Sequence, residues 1–246
     1  MTKLMKYEWR KALFPKMVLL VITAIAEIAF LIGIFSKKEM WYGLGIEGLV
    51  LCAIFGILYI GIESLTTFSK DLNTKQSYML FLTPHTSYEI LGSKVLMNAI
   101  SIFVTGAFFA VLAIVDIGIG VASIGGVKEL LSFAEAFMSV KIDWNNIRQI
   151  ALMAFSSALV SWLNIIVVGY LAILLSATVL AGKKGSRVVS FVIFLIISGI
   201  SSYVVNLVTR SMNEIASFWC TVGCMLIFTV IFYAITGWIM DKKLSV

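Results

Sequence analysis

Charged residues and proline are scarce in this chain of 246 residues. Asp, Glu, Lys and Arg together make up 13% of it, and it contains only two prolines. A soluble globular domain carries about a quarter charged residues, so this composition excludes a domain with an ordinary water-facing surface. The hydrophobic fraction of 61% and the mean hydropathy of +1.03 indicate an integral membrane protein instead.

Motifs for enzyme chemistry are missing as well. The sequence has no HExxH, no GxSxG and no paired-glutamate motif, and its one histidine, His85, stands without a carboxylate cluster. Its three cysteines, Cys52, Cys220 and Cys224, lie in apolar stretches and form no CxxC pair, as is usual for cysteines that serve as small hydrophobic residues. Without a GxxxxGK[ST] loop the chain cannot bind the phosphates of ATP in the usual way. From these absences together we expect no enzyme activity and no metal site in the chain.

The sequence does contain six long apolar stretches. A membrane-spanning helix needs about 20 apolar residues, and six such helices leave no room for a separate soluble domain. We therefore predict an all-α polytopic membrane protein with a single transmembrane domain over residues 1–246. The predicted spans are residues 17–35, 44–68, 95–117, 150–180, 188–208 and 217–240.

Residues 1–16 show the pattern of an amphipathic helix. Lys3, Lys6 and Arg10 fall on one side at spacings of three and four, and apolar residues fall on the other side. A segment of this kind lies in the membrane interface rather than crossing the bilayer. Pro15 is the predicted bend into the first span, because a proline disfavours helix at the preceding residue.

The basic residues predict the orientation. Thirteen of the nineteen Lys and Arg residues fall on the side that holds both termini and residues 69–93. The side richer in Lys and Arg is normally cytoplasmic, so both termini and residues 69–93 are predicted to be cytoplasmic. Because these charges stand at the ends of apolar stretches, the membrane surface accounts for the net charge of +6, and no nucleic-acid partner is expected.

The polar stretch between the second and third spans has a structured pattern. An apolar run at residues 79–82 is followed by Thr83 and Pro84, after which a new helix is predicted. Thr86 or Ser87 can cap that helix, and Glu89 in its first turn suits the helix dipole. The apolar run would be costly to expose to water unless it packs against the bilayer or a partner.

This stretch resembles the loop between the second and third spans of ABC-2 type transporter permeases. In the sequence FSKDLNTKQSYMLFLTPHTSYEILGSK, an acidic residue soon after the second span precedes an apolar run and a Thr-Pro pair. The basic N-terminal helix, the six spans and the basic C-terminal tail are also similar to that family. The residues that match the pattern are Asp71, Leu80, Leu82, Thr83, Pro84, Gly92 and Lys94.

The resemblance implies a permease that works as a homodimer or a heterodimer with two separate ATPase subunits. Those subunits would bind ATP and Mg, so no cofactor is expected in this chain. Residues 69–93 would form the cytoplasmic coupling loop, in the cell membrane of a bacterium, and the cargo would be a drug, an antimicrobial peptide or a toxin. The residues that the resemblance assigns to ATPase coupling are Asp71, Tyr78, Leu80, Phe81, Leu82, Thr83, Pro84 and Glu89.

Several polar residues interrupt the spans. Glu27 stands near the middle of the first span, where a carboxylate is costly and therefore a functional candidate. It would line the substrate path, bind a basic group on the cargo, or pair across a dimer. The alternative is a protonated, hydrogen-bonded carboxyl in a helix interface. Asn164 is a second candidate for the substrate path, or it forms a hydrogen bond between helices. Glu47 and Asp116 fall near the outer ends of their spans and are expected to be solvated.

Two other classes of function stay open at this point. One is a membrane protein without transport activity, such as an immunity or sensor protein that sequesters a peptide. The other is an ion-coupled secondary carrier that uses Glu27. A separate ATPase partner would favour the exporter, and transport driven by a proton gradient alone would favour the carrier.

Overall fold

The computed structural model describes residues 2–36, 39–73, 86–124, 147–180 and 185–244. Within these ranges the chain forms helices and no strands, which confirms the predicted all-α class. The helices are α1 (Thr2–Lys11), α2 (Leu13–Phe35), α3 (Glu39–Asn73), α4 (Ser87–Ile124), α5 (Ile147–Leu180), α6 (Ser186–Thr209) and α7 (Glu214–Leu244).

Helices α2 to α7 are long and apolar enough to cross a membrane. Their outward faces carry large apolar side chains, such as Phe35 and Val179, which are 79% and 75% exposed. Exposed apolar surface of this extent suits lipid rather than water, so the chain is a multi-pass membrane protein. The candidate spans are Leu13–Phe35, Gly43–Leu72, Ser87–Gly120, Arg148–Val179, Ser186–Thr209 and Glu214–Lys242.

The break between α1 and α2 does not lie at Pro15, so that prediction was wrong. Helix α1 ends at Lys11 and α2 begins at Leu13, with Ala12 between them at φ −87° and ψ 1°. Pro15 lies in the first turn of α2, where a backbone N–H would have no helical partner in any case. A proline is tolerated at that position because its missing N–H costs nothing there.

Helices also extend into the polar stretch that was assigned to a loop. Helix α3 continues to Asn73, and α4 begins at Ser87, so both ends of residues 69–93 are helical. Residues 74–85 lie outside the described part of the chain, and Tyr78, Leu80, Phe81, Leu82, Thr83 and Pro84 are among them.

The chain divides into two compact units. The first comprises Met1–Glu8, Gly61–Ala99 and Ala151–Val246, and the second comprises Trp9–Ile60 and Ile100–Ile150. In the first unit α5 is the central helix, because 56% of its most apolar window is buried, more than in any other candidate span.

Aromatic packing forms the core of the first unit. The rings of Phe68 on α3 and Tyr170 on α5 have centroids 4.5 Å apart, and both residues are 1% exposed. The hydroxyls of Tyr170 and Ser64 share a hydrogen bond of 2.5 Å, so the polar tip of the buried tyrosine has a partner. The remaining buried members of this cluster are Ile90, Leu91, Ile166, Leu171, Leu174, Ile239 and Met240.

Close helix approach organises the second unit. A side chain added at Gly45 of α3 would overlap the backbone of Phe30 on α2, and one added at Gly48 would reach to 3.3 Å from the Cβ of Ala26. Small residues allow transmembrane helices to pack this closely, since lipid offers no hydrophobic drive for their association. Gly45 and Gly48 therefore set the distance between α2 and α3.

We expect Gly45→Ala to lower the free energy of unfolding by about 1–3 kcal/mol, because the added methyl group forces α2 and α3 apart. The measurement is thermal or denaturant unfolding of the purified protein in detergent, followed by circular dichroism. Gly43→Ala is the matched control on the same helix, since a Cβ at Gly43 meets nothing within 4 Å. An equal loss of stability in both variants would contradict the close approach.

Candidate functional site

The polar residues near the start of α4 form the most connected group in the first unit. Thr86 caps this helix, and its Oγ1 accepts a hydrogen bond of 3.3 Å from the backbone N–H of Glu89. This confirms the cap that was predicted at Thr86 or Ser87, with Glu89 in the first helical turn. The helix therefore starts at a defined residue immediately after the segment 74–85.

Lys94 lies two turns into α4 and is buried. Its ammonium group is 2.5 Å from Oδ2 of Asp71 near the end of α3 and 2.6 Å from Oε1 of Glu8 on α1. Lys94 is 4% exposed and Asp71 is 5% exposed, so water has little access to either charge. We call Glu8, Asp71 and Lys94 the ion-pair cluster.

The charges of the ion-pair cluster depend on one another. Breaking a buried pair by removing one partner typically costs about 3–5 kcal/mol, because an uncompensated charge stays in the interior. Since both carboxylates bind the single ammonium group of Lys94, that side chain joins α1, the end of α3 and the start of α4. These two helix ends directly border residues 74–85.

Helix α7 secures the same end of α4. The hydroxyl of Ser87 donates to Oδ1 of Asp241 at 3.2 Å, and the hydroxyl of Tyr233 donates to the backbone carbonyl of Tyr88 at 2.7 Å. The ring of Tyr88 also packs over Gly237, where any side chain would overlap it. The first turn of α4 is thereby bound to the last turns of α7.

Asp71 was predicted to take part in ATPase coupling, and the structure shows what its carboxylate contacts. It lies against Lys94 inside the first unit. The resemblance to ABC-2 permeases included Lys94 only as one residue of the matching pattern. The sequence analysis did not single out Glu8. Glu8 is the one acidic residue among residues 1–16, and an acid isolated in a basic segment was the available signal.

Glu27 on α2 has a partner that was not predicted. Its carboxyl group lies within hydrogen-bonding reach of the carboxyl group of Asp116 on α4. Asp116 was expected to be solvated, and this expectation was wrong, because its Oδ1 is buried. Within the described part of the chain, neither this oxygen nor Oε2 of Glu27 accepts a hydrogen bond. Both helices belong to the second unit. Glu47, by contrast, is exposed.

Asn164 joins two helices. Its Nδ2 donates to Oγ1 of Thr229 at 3.2 Å and to the carbonyl oxygen of Met225 at 3.4 Å, both on α7. The residue is 8% exposed, and an interhelical hydrogen bond is one of the two roles expected for it. Its amide therefore contributes to the packing of α5 against α7.

The part of the chain that the structure describes contains no set of side chains suited to bind a metal ion. No group of three or more His, Cys, Asp or Glu side chains is placed there so that it could hold a metal ion.

Compared with known proteins, the chain matches no family model, no curated protein and no solved structure.

Replacing Lys94 with Met should destabilise the protein by about 3–5 kcal/mol, because two buried carboxylates would lose their shared counter-charge. Unfolding in detergent measures this loss. Lys6→Met serves as the control, since Lys6 is exposed on α1, and it should change stability by less than about 0.5 kcal/mol.

A triple variant separates charge from shape. Adding Glu8→Gln and Asp71→Asn to Lys94→Met removes all three charges, and we expect it to recover at least half of the lost stability. If Lys94→Met were as stable as the wild-type protein, the ion-pair cluster would not be the buried connection described above.

Proposed function

We propose that this chain is the membrane subunit of an ATP-driven exporter of the ABC-2 permease type. The observation that carries the proposal is the ion-pair cluster, which connects α1 with the two helix ends that border residues 74–85. A membrane subunit that is driven by a separate ATPase needs such a connection, because force applied to a short cytoplasmic segment must reach the membrane helices. The six apolar spans supply those helices.

The coupling step follows from this arrangement. An ATPase that binds at residues 74–85 and changes shape on ATP binding would pull on the end of α3 and the start of α4. Because α1 shares the buried ammonium group of Lys94 with both, the three segments would move together rather than separately. Tyr233 and Asp241 would pass the movement from α4 to α7.

The proposal places ATP and Mg on separate subunits, because the sequence has no GxxxxGK[ST] loop. A second permease, identical or different, and surrounding membrane lipid complete the assembly. In this scheme the protein lies in the bacterial cell membrane with both termini and residues 74–85 in the cytoplasm, the side that carries most of the Lys and Arg. The cargo class is a drug, an antimicrobial peptide or a toxin.

Purification of the tagged protein from native membranes in mild detergent tests the proposal. We expect a nucleotide-binding ATPase to copurify in stoichiometric amount, as determined by mass spectrometry. Changing Phe81 and Leu82 to Asp should abolish copurification, since two charges in an apolar contact are not compensated by a partner.

The matched control introduces the same two charges elsewhere. Ser211→Asp together with Met212→Asp alters the exposed connection between α6 and α7, which the proposal places on the opposite side of the membrane, and the ATPase should remain bound. Absence of any ATPase from wild-type preparations that remain folded would overturn the exporter function.

A further inference from the structure

The contact between Glu27 and Asp116 is unusual for a pair of acids. The two carboxyl groups come from different apolar helices of the second unit and lie within hydrogen-bonding reach of each other. Each also has one buried oxygen, Oε2 of Glu27 and Oδ1 of Asp116. No donor in the part of the chain that the structure describes bonds to either oxygen.

A proton resolves this contact chemically. Two ionised carboxylates repel each other and have no hydrogen atom to place between them, whereas a carboxylic acid donates a short hydrogen bond to a carboxylate. A pair that shares one proton is a known way for two close carboxyl groups to coexist. In an apolar span, where ionisable residues are costly, such a pair marks a functional position.

The packing around Glu27 favours a small ligand. Helix α3 approaches α2 closely at residues on both sides of Glu27, with Gly48 against Ala26 and Gly45 against Phe30. Bulky cargo has no space between these two helices at that level. A proton needs no space, and it fits two carboxyl groups that already lie within hydrogen-bonding reach of each other.

Lys16 is the one basic side chain that the structure describes on the parts of α2, α3 and α4 that belong to the second unit. The charged group that acts on Glu27 is Asp116 itself. Lys16 is occupied elsewhere, since it donates to the hydroxyl of Ser101 at 2.7 Å and lies over the ring of Trp9. Among the side chains that the structure describes, the other titratable ones on these helices within the second unit are Glu47, Cys52 and Tyr59.

We propose that Glu27 and Asp116 form a proton-binding site that holds α2 against α4. On deprotonation the O–H bond of the shared acid breaks, the proton goes to water, and the electron pair stays on the carboxylate oxygen. The two negative charges then repel, and α2 separates from α4. This site is independent of the ion-pair cluster, and it gives the membrane helices a response to protons whether or not an ATPase is present.

Infrared difference spectroscopy of the full-length protein in lipid nanodiscs detects the shared proton directly. The wild-type protein should show the C=O band of one buried carboxylic acid at low pH and lose this band as the pH rises. Glu27→Gln and Asp116→Asn should each remove this band, because the new amide donates to the remaining carboxylate without a shared proton. Glu47→Gln, which changes an exposed acid on α3, should keep it.

Distance measurement tests the movement. Spin labels at Ser36→Cys and Gly118→Cys, in a protein without its three native cysteines, report the separation of α2 and α4; Ser36 is exposed, and a Cβ at Gly118 meets nothing within 4 Å. The distance should lengthen as the pH rises, and the shift should vanish in both amide variants. A band that persists in both amide variants, or a wild-type distance that does not change with pH, would overturn the proposal. Neither measurement involves an ATPase, so its result is separate from that of the copurification.

Discussion

One ammonium group out of contact with water constrains much of the first unit. Lys94 is stable in its buried position only while carboxylates neutralise it, and it has two, from Asp71 and Glu8. The two carboxylates come from α1 and α3, and Lys94 lies on α4. These three helices must therefore stay close together for the buried ammonium group to remain neutralised. The cap at Thr86 and the contacts of α7 with Ser87 and Tyr88 then fix where α4 starts.

The pair of Glu27 and Asp116 meets the cost of burial in another way. There the two acids face each other. In our proposal a shared proton rather than a counter-ion keeps them together. The ion-pair cluster is held together by opposite charges, whereas a shared proton exchanges with water. The ion-pair cluster is therefore suited to transmit force, and the acid pair is suited to respond to a change of conditions.

Packing between the helices relies on small residues and on satisfied polar tips. Lipid is as apolar as the side chains, so burial of apolar surface does not drive helices together. Helix pairs are stabilised instead where they approach closely, as at Gly45, or where a polar group forms a hydrogen bond across the interface. Tyr170 with Ser64 and Asn164 with Thr229 are examples of the second kind. Both interactions involve α5, the most buried span.

The amino-acid sequence by itself determined the class of the protein, the number of spans and a helix start at Thr86 or Ser87. These depend on local properties, namely the length of apolar stretches and the capping pattern, and each can be counted along the chain. The same local reasoning placed the break before the first span at Pro15 rather than Ala12, because a proline in a first turn and a proline at a bend have similar sequence surroundings.

Only the tertiary structure decided which charges meet. Glu8 and Lys94 are 86 residues apart, and Glu27 and Asp116 come from different helices, so no spacing rule connects them. Their partners follow from how the helices pack, since a buried charge takes whichever compensating group the neighbouring helix brings into reach.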